Sequence, residues 1–313
     1  MTKTVCLINP ESFTVAKKGS LLRNALSDVA QCHDITDFTT LPELIRQMMR
    51  ENPDHLFIEG GDGTIQGVLS HILMHEPDSA RLPAITLIPG GMTNLVARHV
   101  GVRRPNAKKL RAIHQAPDKA RQIALPALGV EAEQGEHNWY GFLLSTGAMP
   151  AATRLCLDKI HTQGIGGAAA VRTTLWRVLL GRGAERGHIM KPRPLDMQLA
   201  GREVSEAHIM SIATTLPGLM IGIHPFWHTA NGPLKLTWVK GEARRHVRNI
   251  LRLVVRPNAR RTPEILERHG YESWSGKEVR IKVDSDVVLD GEFLPLRGQA
   301  FRLFATEPLR FLR

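Results

Sequence analysis

The chain has 313 residues, of which 42% are hydrophobic and 23% charged, and this length and composition predict a globular protein of two domains. Its three cysteines are widely spaced, which excludes a disulfide framework or a cysteine zinc site and favours a reducing, cytoplasmic location. The net charge of +11 predicts an anionic partner, but aromatic residues are only 5% and no nucleic-acid motif is present, so we expect no nucleic acid partner.

Strand-like and helix-like segments alternate along the first 125 residues. Short apolar runs predict strands, and apolar residues spaced three or four apart predict helices. The predicted strands are Val5–Ile8, His33–Phe38, Leu56–Glu59 and Ala84–Ile88, and the predicted helices are Leu21–Val29, Leu41–Met49, Ile65–Met74 and one that starts at Asn94. This alternation predicts an α/β domain over residues 1–123, with a mostly parallel sheet that is covered on both faces.

From residue 124 onward the pattern changes to short apolar runs separated by turn residues. These runs are Ile123–Leu128, Trp139–Leu144, Ile209–Thr214, Leu234–Val239, Val279–Val283 and Ala300–Phe304. They predict a β-rich, antiparallel domain over residues 124–313, whose last segment is a candidate to return to the first domain. The apolar stretch Ile209–Trp227 is long enough to span a membrane, but Pro217-Gly218 near its centre favours two buried strands joined by a turn.

A glycine-rich segment, Gly60-Gly61-Asp62-Gly63-Thr64, lies between a predicted strand and a predicted helix. Glycines at this position let backbone N–H groups approach phosphate oxygens, and the N-terminus of the following helix favours the same anion. The Asp62 carboxylate would repel a phosphate, unless it holds Mg²⁺ or takes a proton from an attacking hydroxyl. The alternative is an ordinary tight turn, for which Gly-Asp-Gly is common.

A second glycine segment, Pro89-Gly90-Gly91-Met92-Thr93-Asn94, also follows a predicted strand and precedes a helix. Thr93 and Asn94 can cap that helix or bond to a nucleotide. Asn9 and Thr39-Thr40 follow the first two strands, and the carboxyl ends of parallel strands form the edge where open α/β sheets bind ligands. These segments together predict a nucleotide site on the first domain.

These motifs, with Asn9-Pro10 before them and Leu289-Asp290-Gly291-Glu292 near the far end, resemble the ordered signature of diacylglycerol kinase catalytic-domain proteins. That family includes bacterial lipid kinases and sphingosine kinases. The resemblance implies ATP on the first domain, a lipid substrate on the second, and Mg²⁺ bound with the nucleotide at Asp62. The implied catalytic residues are Asp62, Asp290 and Glu292. The candidate nucleotide-binding residues are Asn9, Thr40, Gly60, Gly61, Asp62, Gly63, Thr64, Gly91, Thr93 and Asn94.

Three positions depart from the family pattern: Phe13, Met92 and Asn231. Asn231 stands where some bacterial members have an aspartate, which weakens the case for a second, structural Mg²⁺. Two alternatives to a lipid kinase therefore stay open. One is a kinase of a soluble alcohol or dinucleotide, similar to NAD kinases, although their Asn-Glu dipeptide does not occur in this chain. The other is a nucleotide- or lipid-binding protein that has lost turnover. The segment Asp290–Glu292 also fits an ordinary hairpin turn.

Most of the excess positive charge lies in the second part of the chain. Residues 1–125 contain 15 Lys+Arg against 12 Asp+Glu, and residues 126–313 contain 26 against 18. Two stretches, Arg244 to Arg261 and Arg172 to Arg186, interleave arginines with apolar residues. Such a pattern is typical of a helix that lies on an anionic membrane, but also of a solvated face above a buried stripe. We expect a cytoplasmic ATP-dependent lipid kinase that acts peripherally on the inner membrane.

Overall fold

The computed structural model describes residues 3–134, 138–155, 184–219, 225–255 and 262–313. The chain divides into two compact units. The first unit contains Met1–Ala127, Trp139–Gly141 and Thr306–Arg313, and the second contains Leu128–Asn138 and Phe142–Ala305. The first unit is therefore built from three separate segments of the chain.

The first unit alternates strands and helices, as the sequence predicts. Its main elements are β1 (Thr4–Ile8), α1 (Phe13–Lys18), α2 (Leu21–Leu26), β2 (Gln31–Asp34), α3 (Leu41–Arg50), β3 (His55–Gly60), α4 (Asp62–His75), β4 (Ala84–Pro89), α5 (Leu95–Val100) and α6 (Ala107–Gln115). Short 3₁₀ turns occur at Ser79–Arg81 and Pro117–Lys119.

A parallel sheet forms the centre of the first unit. Strand β1 pairs with β2 on one side and with β3 on the other, and β3 pairs in turn with β4. The C-terminal strand β15 (Ala300–Leu312) joins the far edge through Phe311, which is in parallel register with Ile85 of β4. The predicted α/β fold with a mostly parallel sheet is confirmed.

Both faces of this sheet are buried. On one face Cys6 and Phe57 pack against Leu22 of α2 and Leu110 of α6. Leu7 points to the opposite face, because side chains alternate along a strand, and it is equally inaccessible to water. Strands buried on both faces need continuous apolar runs, and this explains the runs Val5–Ile8 of β1 and Leu56–Ile58 of β3.

Several element boundaries differ from the predicted ones. Helix α4 begins at Asp62 rather than at Ile65, because Gly61 already serves as its N-terminal cap residue. Strand β2 ends at Asp34, four residues before the predicted end, and the chain then turns around Asp37, whose carboxylate accepts hydrogen bonds from Thr39. Helix α1 was not predicted, since its six residues carry too few apolar positions to show a helical period.

The second unit is rich in strands. Its elements, with the strands that it shares with the first unit, are β5 (Gln122–Ala132), β6 (Asn138–Gly141), β7 (Leu143–Gly147), α7 (Ala148–Leu155), α8 (Ala184–Ile189), β8 (Arg193–Leu199), β9 (Arg202–Thr214), β10 (Leu234–Lys240), α9 (His246–Val255), α10 (Thr262–Arg268), β11 (Tyr271–Gly276), β12 (Glu278–Val283), β13 (Val287–Leu289), β14 (Glu292–Leu294) and β15. A 3₁₀ turn occurs at Thr229–Asn231.

These strands pair antiparallel in the order β14-β13-β7-β9-β8-β12-β15, and β10 pairs with both β9 and β11. The predicted β-rich second region is confirmed. Two helices, α9 and α10, pack against one part of it, where Leu253 and Leu266 join Val239 and Tyr271 in a buried cluster. That cluster fixes α9 to the sheet.

The apolar stretch Ile209–Trp227 forms a strand only in its first part. Residues 209–214 belong to β9, which began earlier than predicted, at Arg202. Residues 215–219 and 225–227 form no strand, and residues 220–224 lie outside the described part of the chain. Among the described residues, we find no helix with the length and apolar character needed to cross a membrane.

Candidate active site

The first glycine loop, Gly60–Thr64, joins the end of β3 to the start of α4. A Cβ atom on Gly60 would lie only 2.6 Å from the Cβ of Thr64, so a side chain at Gly60 would displace Thr64. Thr64 is buried, and its hydroxyl accepts a hydrogen bond of 2.8 Å from the Asn9 side-chain amide. The loop thus brings together three of the predicted residues: Asn9, Gly60 and Thr64.

The second glycine loop, Pro89–Asn94, lies in direct backbone contact with the first. The Gly90 N–H donates to the Gly60 carbonyl at 2.8 Å. A Cβ atom on Gly91 would stand 2.6 Å from the Cα of Gly61, a separation that real Cβ atoms do not adopt. Glycine is therefore required at Gly91 so that the two loops can touch, and the predicted meeting of the loops at one sheet edge is present in the structure.

Asn94 closes the second loop upon itself. It adopts a left-handed backbone conformation with φ of 50°, and its side chain accepts from the Gly91 N–H at 2.8 Å and donates to the Gly91 carbonyl at 2.6 Å. Both polar groups of the Asn94 side chain are engaged within the loop. This geometry gives Asn94 a part in shaping the loop.

Asp62 links the two loops through its carboxylate. One oxygen accepts a hydrogen bond from the Thr93 hydroxyl at 2.5 Å, and the other faces the backbone N–H of Val96 at 3.3 Å. Asp62 is the first residue of α4, and Val96 lies in the first turn of α5, so the carboxylate sits at two helix N-termini.

The outer surface of the two loops is open. Gly63 is exposed, and a Cβ atom placed on it would meet no atom within 4 Å. Met92, the residue that departs from the family pattern, is also exposed, at 43%. Packing inside the protein therefore explains the glycines at Gly60 and Gly91, but it does not explain Gly63.

Two of the neighbouring residues are placed differently. Thr40 is exposed at the N-terminus of α3, and its hydroxyl donates to the carbonyl of Asp37 at 2.9 Å. No hydrogen bond joins Thr40 to either glycine loop within the part of the chain that the structure describes. Phe13, the other departure in this unit, is exposed at 48%, and the Lys17 ammonium lies 3.8 Å from the centre of its ring.

Sequence reasoning gave no role to Glu59, the residue immediately before the first glycine loop. Glu59 is buried, and its carboxylate accepts hydrogen bonds from the Ser20 hydroxyl at 2.6 Å and from the N–H groups of Leu21 and Leu22 at 3.0 and 3.1 Å. It therefore holds the N-terminus of α2 against the end of β3. The available signal was a charged residue that ends an otherwise apolar strand.

In the second unit, Asp290 and Glu292 lie on a tight hairpin between β13 and β14. Leu289 pairs with Glu292 across the turn, and Asp290 and Gly291 have φ values of 50° and 101°. Two consecutive residues with positive φ are typical of a type I′ turn. The hairpin alternative therefore describes the local backbone correctly, and it leaves open what the two carboxylates do.

The two carboxylates of this hairpin differ in their surroundings. The Asp290 carboxylate accepts hydrogen bonds of 2.8 Å from the N–H groups of both Phe142 and Leu143. Glu292 is exposed, and among the described residues no hydrogen bond or ion pair to its carboxylate is found. The Asp290 carboxylate thus holds the hairpin against the start of β7, whereas the Glu292 carboxylate is exposed to solvent and can contact a ligand.

Residues 3–125 match the family described as the diacylglycerol kinase catalytic domain. The predicted family resemblance is confirmed for this part of the chain. The match contains both glycine loops, and Asp290 and Glu292 lie beyond it. The match therefore covers most of the first unit.

Solved structures of similar fold are also described as diacylglycerol kinases. One, from Bacillus anthracis str. Sterne and described as a candidate diacylglycerol kinase, has a TM-score of 0.66 and 15% sequence identity, with 99% of this chain and 96% of that chain covered. A second, described as a diacylglycerol kinase from the same organism, has a TM-score of 0.61 and 13% identity over the same shares of the two chains. No curated protein sequence matches the chain significantly. At these identities the structures establish the fold.

The third departure from the diacylglycerol kinase pattern lies in the second unit. Asn231 ends a 3₁₀ turn before strand β10, and its N–H donates to the Ser275 hydroxyl at 3.1 Å. Within the described ranges, the structure contains no cluster of three or more histidine, cysteine, aspartate or glutamate residues that could hold a metal ion.

Proposed function

We propose that the protein is an ATP-dependent lipid kinase, which transfers the γ-phosphate of ATP to a hydroxyl of diacylglycerol or a related lipid. One observation carries the proposal: two glycine loops touch at the carboxyl edge of a parallel sheet, inside a segment that matches the diacylglycerol kinase catalytic domain. The fold of the whole chain, which is shared with proteins described as diacylglycerol kinases, also supports it.

The open side of the first glycine loop suits the phosphates of ATP. The first N–H groups of a helix have no partner within the helix, and α4 is 14 residues long, so its dipole is well developed. Gly63 leaves the space in front of these N–H groups free. Anionic oxygens could therefore approach the backbone without a steric barrier.

Asp62 is suited to hold a Mg²⁺ ion that arrives with the nucleotide. Mg²⁺ usually binds through one or two carboxylates together with substrate phosphates and water, so a single aspartate at the loop fits, and no cluster of protein ligands is needed. A bound Mg²⁺ would neutralise the charge that the phosphate oxygens carry during transfer. Thr93 fixes the orientation of the Asp62 carboxylate for this purpose.

We assign the proton-accepting role to Glu292 and a positioning role to Asp290. A general base needs a carboxylate that can reach the proton of the lipid hydroxyl, and Glu292 is exposed and unengaged among the described residues. Both oxygens of Asp290 are already bonded to backbone N–H groups, those of Phe142 and of Leu143, the first residue of β7.

A transfer assay with γ-labelled ATP and extracted bacterial lipids tests the function. We expect a labelled product in the organic phase. Asp62→Asn and Glu292→Gln should each lower the rate by about two orders of magnitude or more, because each removes one charge used in transfer. The matched control is Glu203→Gln, which removes an exposed carboxylate of β9 that has no ion pair among the described residues, and it should keep the wild-type rate.

The other outcomes distinguish the alternatives. A labelled product that stays in the aqueous phase would replace the lipid with a soluble alcohol or dinucleotide. Saturable ATP binding without transfer to any extract would show a binding protein that has lost turnover. Wild-type rates in Asp62→Asn or Glu292→Gln would remove that residue from the mechanism.

A further inference from the structure

Helix α9 of the second unit is firmly attached along one face. Leu253 is 5% exposed and packs with Val239, Leu266 and Tyr271. Asn249, one turn before it, is completely buried, and it donates to the Arg244 carbonyl at 3.0 Å and bonds to His269 at 2.9 Å. This face of α9 therefore packs against the core of the second unit.

The opposite face of α9 exposes apolar side chains that the core does not need. Val247 is 36% exposed and Leu251 is 54% exposed. They are four residues apart, so they lie side by side on one face of the helix. Among the described residues of the second unit, no other large hydrophobic side chain is exposed to this degree.

Arginines are frequent near this apolar pair. Arg244, Arg245 and Arg248 are exposed and lie within three residues of Val247 in the sequence, and the half-buried Arg252 and the exposed Arg268 of α10 lie with Arg245 and Arg248 near His269. Within the described ranges none of these five forms an ion pair with a carboxylate, whereas Arg202, Arg280, Arg297 and Arg302 of the same unit all do. We call the three exposed arginines Arg244, Arg245 and Arg248, together with Val247 and Leu251, the basic face. Its positive charge is thus not neutralised by the described part of the protein.

Further positive charge lies close to the basic face. Arg252 is half-buried, and its Nη1 atom is buried without a hydrogen-bond partner. Partial burial and the nearby guanidinium groups of Arg245, Arg252, Arg268 and Arg248 lower the pKa of His269. Helix α10 carries two glutamates. Glu267 is engaged elsewhere, by the indole of Trp227 and the imidazole of His228, and Glu264 forms no ion pair among the described residues.

We propose that the basic face docks the protein on an anionic bilayer, with the arginines bound to lipid phosphates and with Val247 and Leu251 inserted among the headgroups. A guanidinium group matches the geometry of a phosphate, and an exposed apolar pair between cations fits the boundary between headgroups and acyl chains. The inference rests on the proposed lipid kinase function, to which it adds the surface that presents the substrate. Arg256, Arg260, Arg261 and residues 172–183 of the two predicted basic stretches lie outside the described residues.

Vesicle flotation of the full chain without ATP tests the docking surface. We expect binding to vesicles of phosphatidylcholine with phosphatidylglycerol, and little binding to phosphatidylcholine alone. Arg244→Gln/Arg248→Gln should weaken binding about 30-fold, since each arginine near an anionic surface raises the membrane affinity about fivefold. Leu251→Gln should weaken it about tenfold through the lost apolar contact.

Matched variants separate the basic face from general effects. Arg280→Gln/Arg297→Gln removes the same net charge from ion-paired positions of the same unit, and Val29→Gln replaces another exposed apolar residue, 49% exposed, on the first unit. Both should bind like the wild type. Circular dichroism melts should show that every variant is folded, because all the replaced side chains are exposed.

The proposal is overturned if neutral and anionic vesicles bind equally, or if the Arg244/Arg248 double variant binds like the wild type. It is also overturned if inorganic phosphate displaces the protein more strongly than chloride at equal ionic strength, which would indicate a site for free anions.

Intact vesicle binding together with no phosphoryl transfer would reject the kinase function and keep the docking surface. With a dispersed short-chain diacylglycerol, the docking variants should retain the wild-type rate.

Discussion

At the scale of single residues, a substitution of Gly63 should affect ligand binding without harming the fold. A methyl group at this position meets no atom of the protein, and the residue lies in the first turn of α4, where alanine is intrinsically better than glycine by up to about 1 kcal/mol. We therefore predict that Gly63→Ala keeps or raises the melting temperature and weakens ATP binding at least about tenfold, since the methyl group fills the space in front of the helix N-terminus. Differential scanning fluorimetry and calorimetric titration with MgATP measure the two effects.

The neighbouring glycine gives the contrast. Gly91→Ala places a Cβ atom 2.6 Å from the Cα of Gly61, so it should lower the melting temperature before any ligand is added. Unchanged MgATP affinity in Gly63→Ala, with the protein folded, would mean that the nucleotide does not use the first turn of α4.

The sequence could predict which residues of the first unit lie near each other, but not what each one bonds to. Asn9, Gly60 and Thr64 follow strands of a parallel sheet, so strand order alone brings them to one edge. The bond from Thr93 to Asp62 could not be predicted, because it depends on the separation of two loops that are 31 residues apart in the chain. Glu59 was missed for the same reason: its three donors lie at the N-terminus of α2, which comes from a distant part of the sequence.

At the scale of elements, the hairpin β13–β14 depends on Asp290 for its attachment to β7. The Asp290 carboxylate accepts two charge-assisted hydrogen bonds from backbone N–H groups. Asp290→Ala leaves both N–H groups without this partner, and we predict a loss of about 2–4 kcal/mol in the free energy of unfolding. Glu292→Ala removes an exposed carboxylate from the same turn and should change the free energy by less than about 0.5 kcal/mol. Urea unfolding of the two variants measures the difference.

The two outcomes for this hairpin are easily distinguished. Equal stability of Asp290→Ala and Glu292→Ala would show that Asp290 does not hold the hairpin. A stable Asp290→Ala variant without turnover would return Asp290 to the list of residues that act on the substrate directly.

Element boundaries were predicted well where apolar periodicity decides them, and poorly where capping does. The ends of the predicted runs Leu234–Val239 and Val279–Val283 differ by at most one residue from the ends of the observed strands β10 and β12. Helix α4 starts three residues early because the N-terminal turn carries no apolar residue, and β9 extends beyond its apolar part because Arg202 to Glu206 pair with β8. Backbone hydrogen bonding to a neighbour is a tertiary property that the local sequence does not report.

At the scale of the whole molecule, a buried histidine in the first unit makes stability depend on pH. His55 is completely buried at the start of β3, where its Nε2 atom lies 2.8 Å from the Thr86 hydroxyl, and that hydroxyl donates to the Leu312 carbonyl. Since the Thr86 proton is used, His55 donates through Nε2, and its Nδ1 atom has no partner. Burial, with smaller effects of His114 and Arg310, lowers the pKa of His55 from 6.5 to about 3.

The sign of the pH dependence follows from the two states of His55. Above its ordinary pKa of 6.5 the imidazole is neutral in both the folded and unfolded chain, so the stability of the first unit is complete there. Between that value and a pH of about 3, only the unfolded chain binds the proton, so the free energy of unfolding falls as the pH falls, by up to about 1.4 kcal/mol per pH unit.

His55→Gln keeps a donor for Thr86 but cannot be protonated, and we predict that it flattens this slope by up to that amount. The matched control is His75→Gln, at an exposed position of α4, which should keep the wild-type slope in urea unfolding measured from neutral pH down to about 4. An identical slope in the wild type and in His55→Gln would show that another group causes the acid sensitivity of this unit.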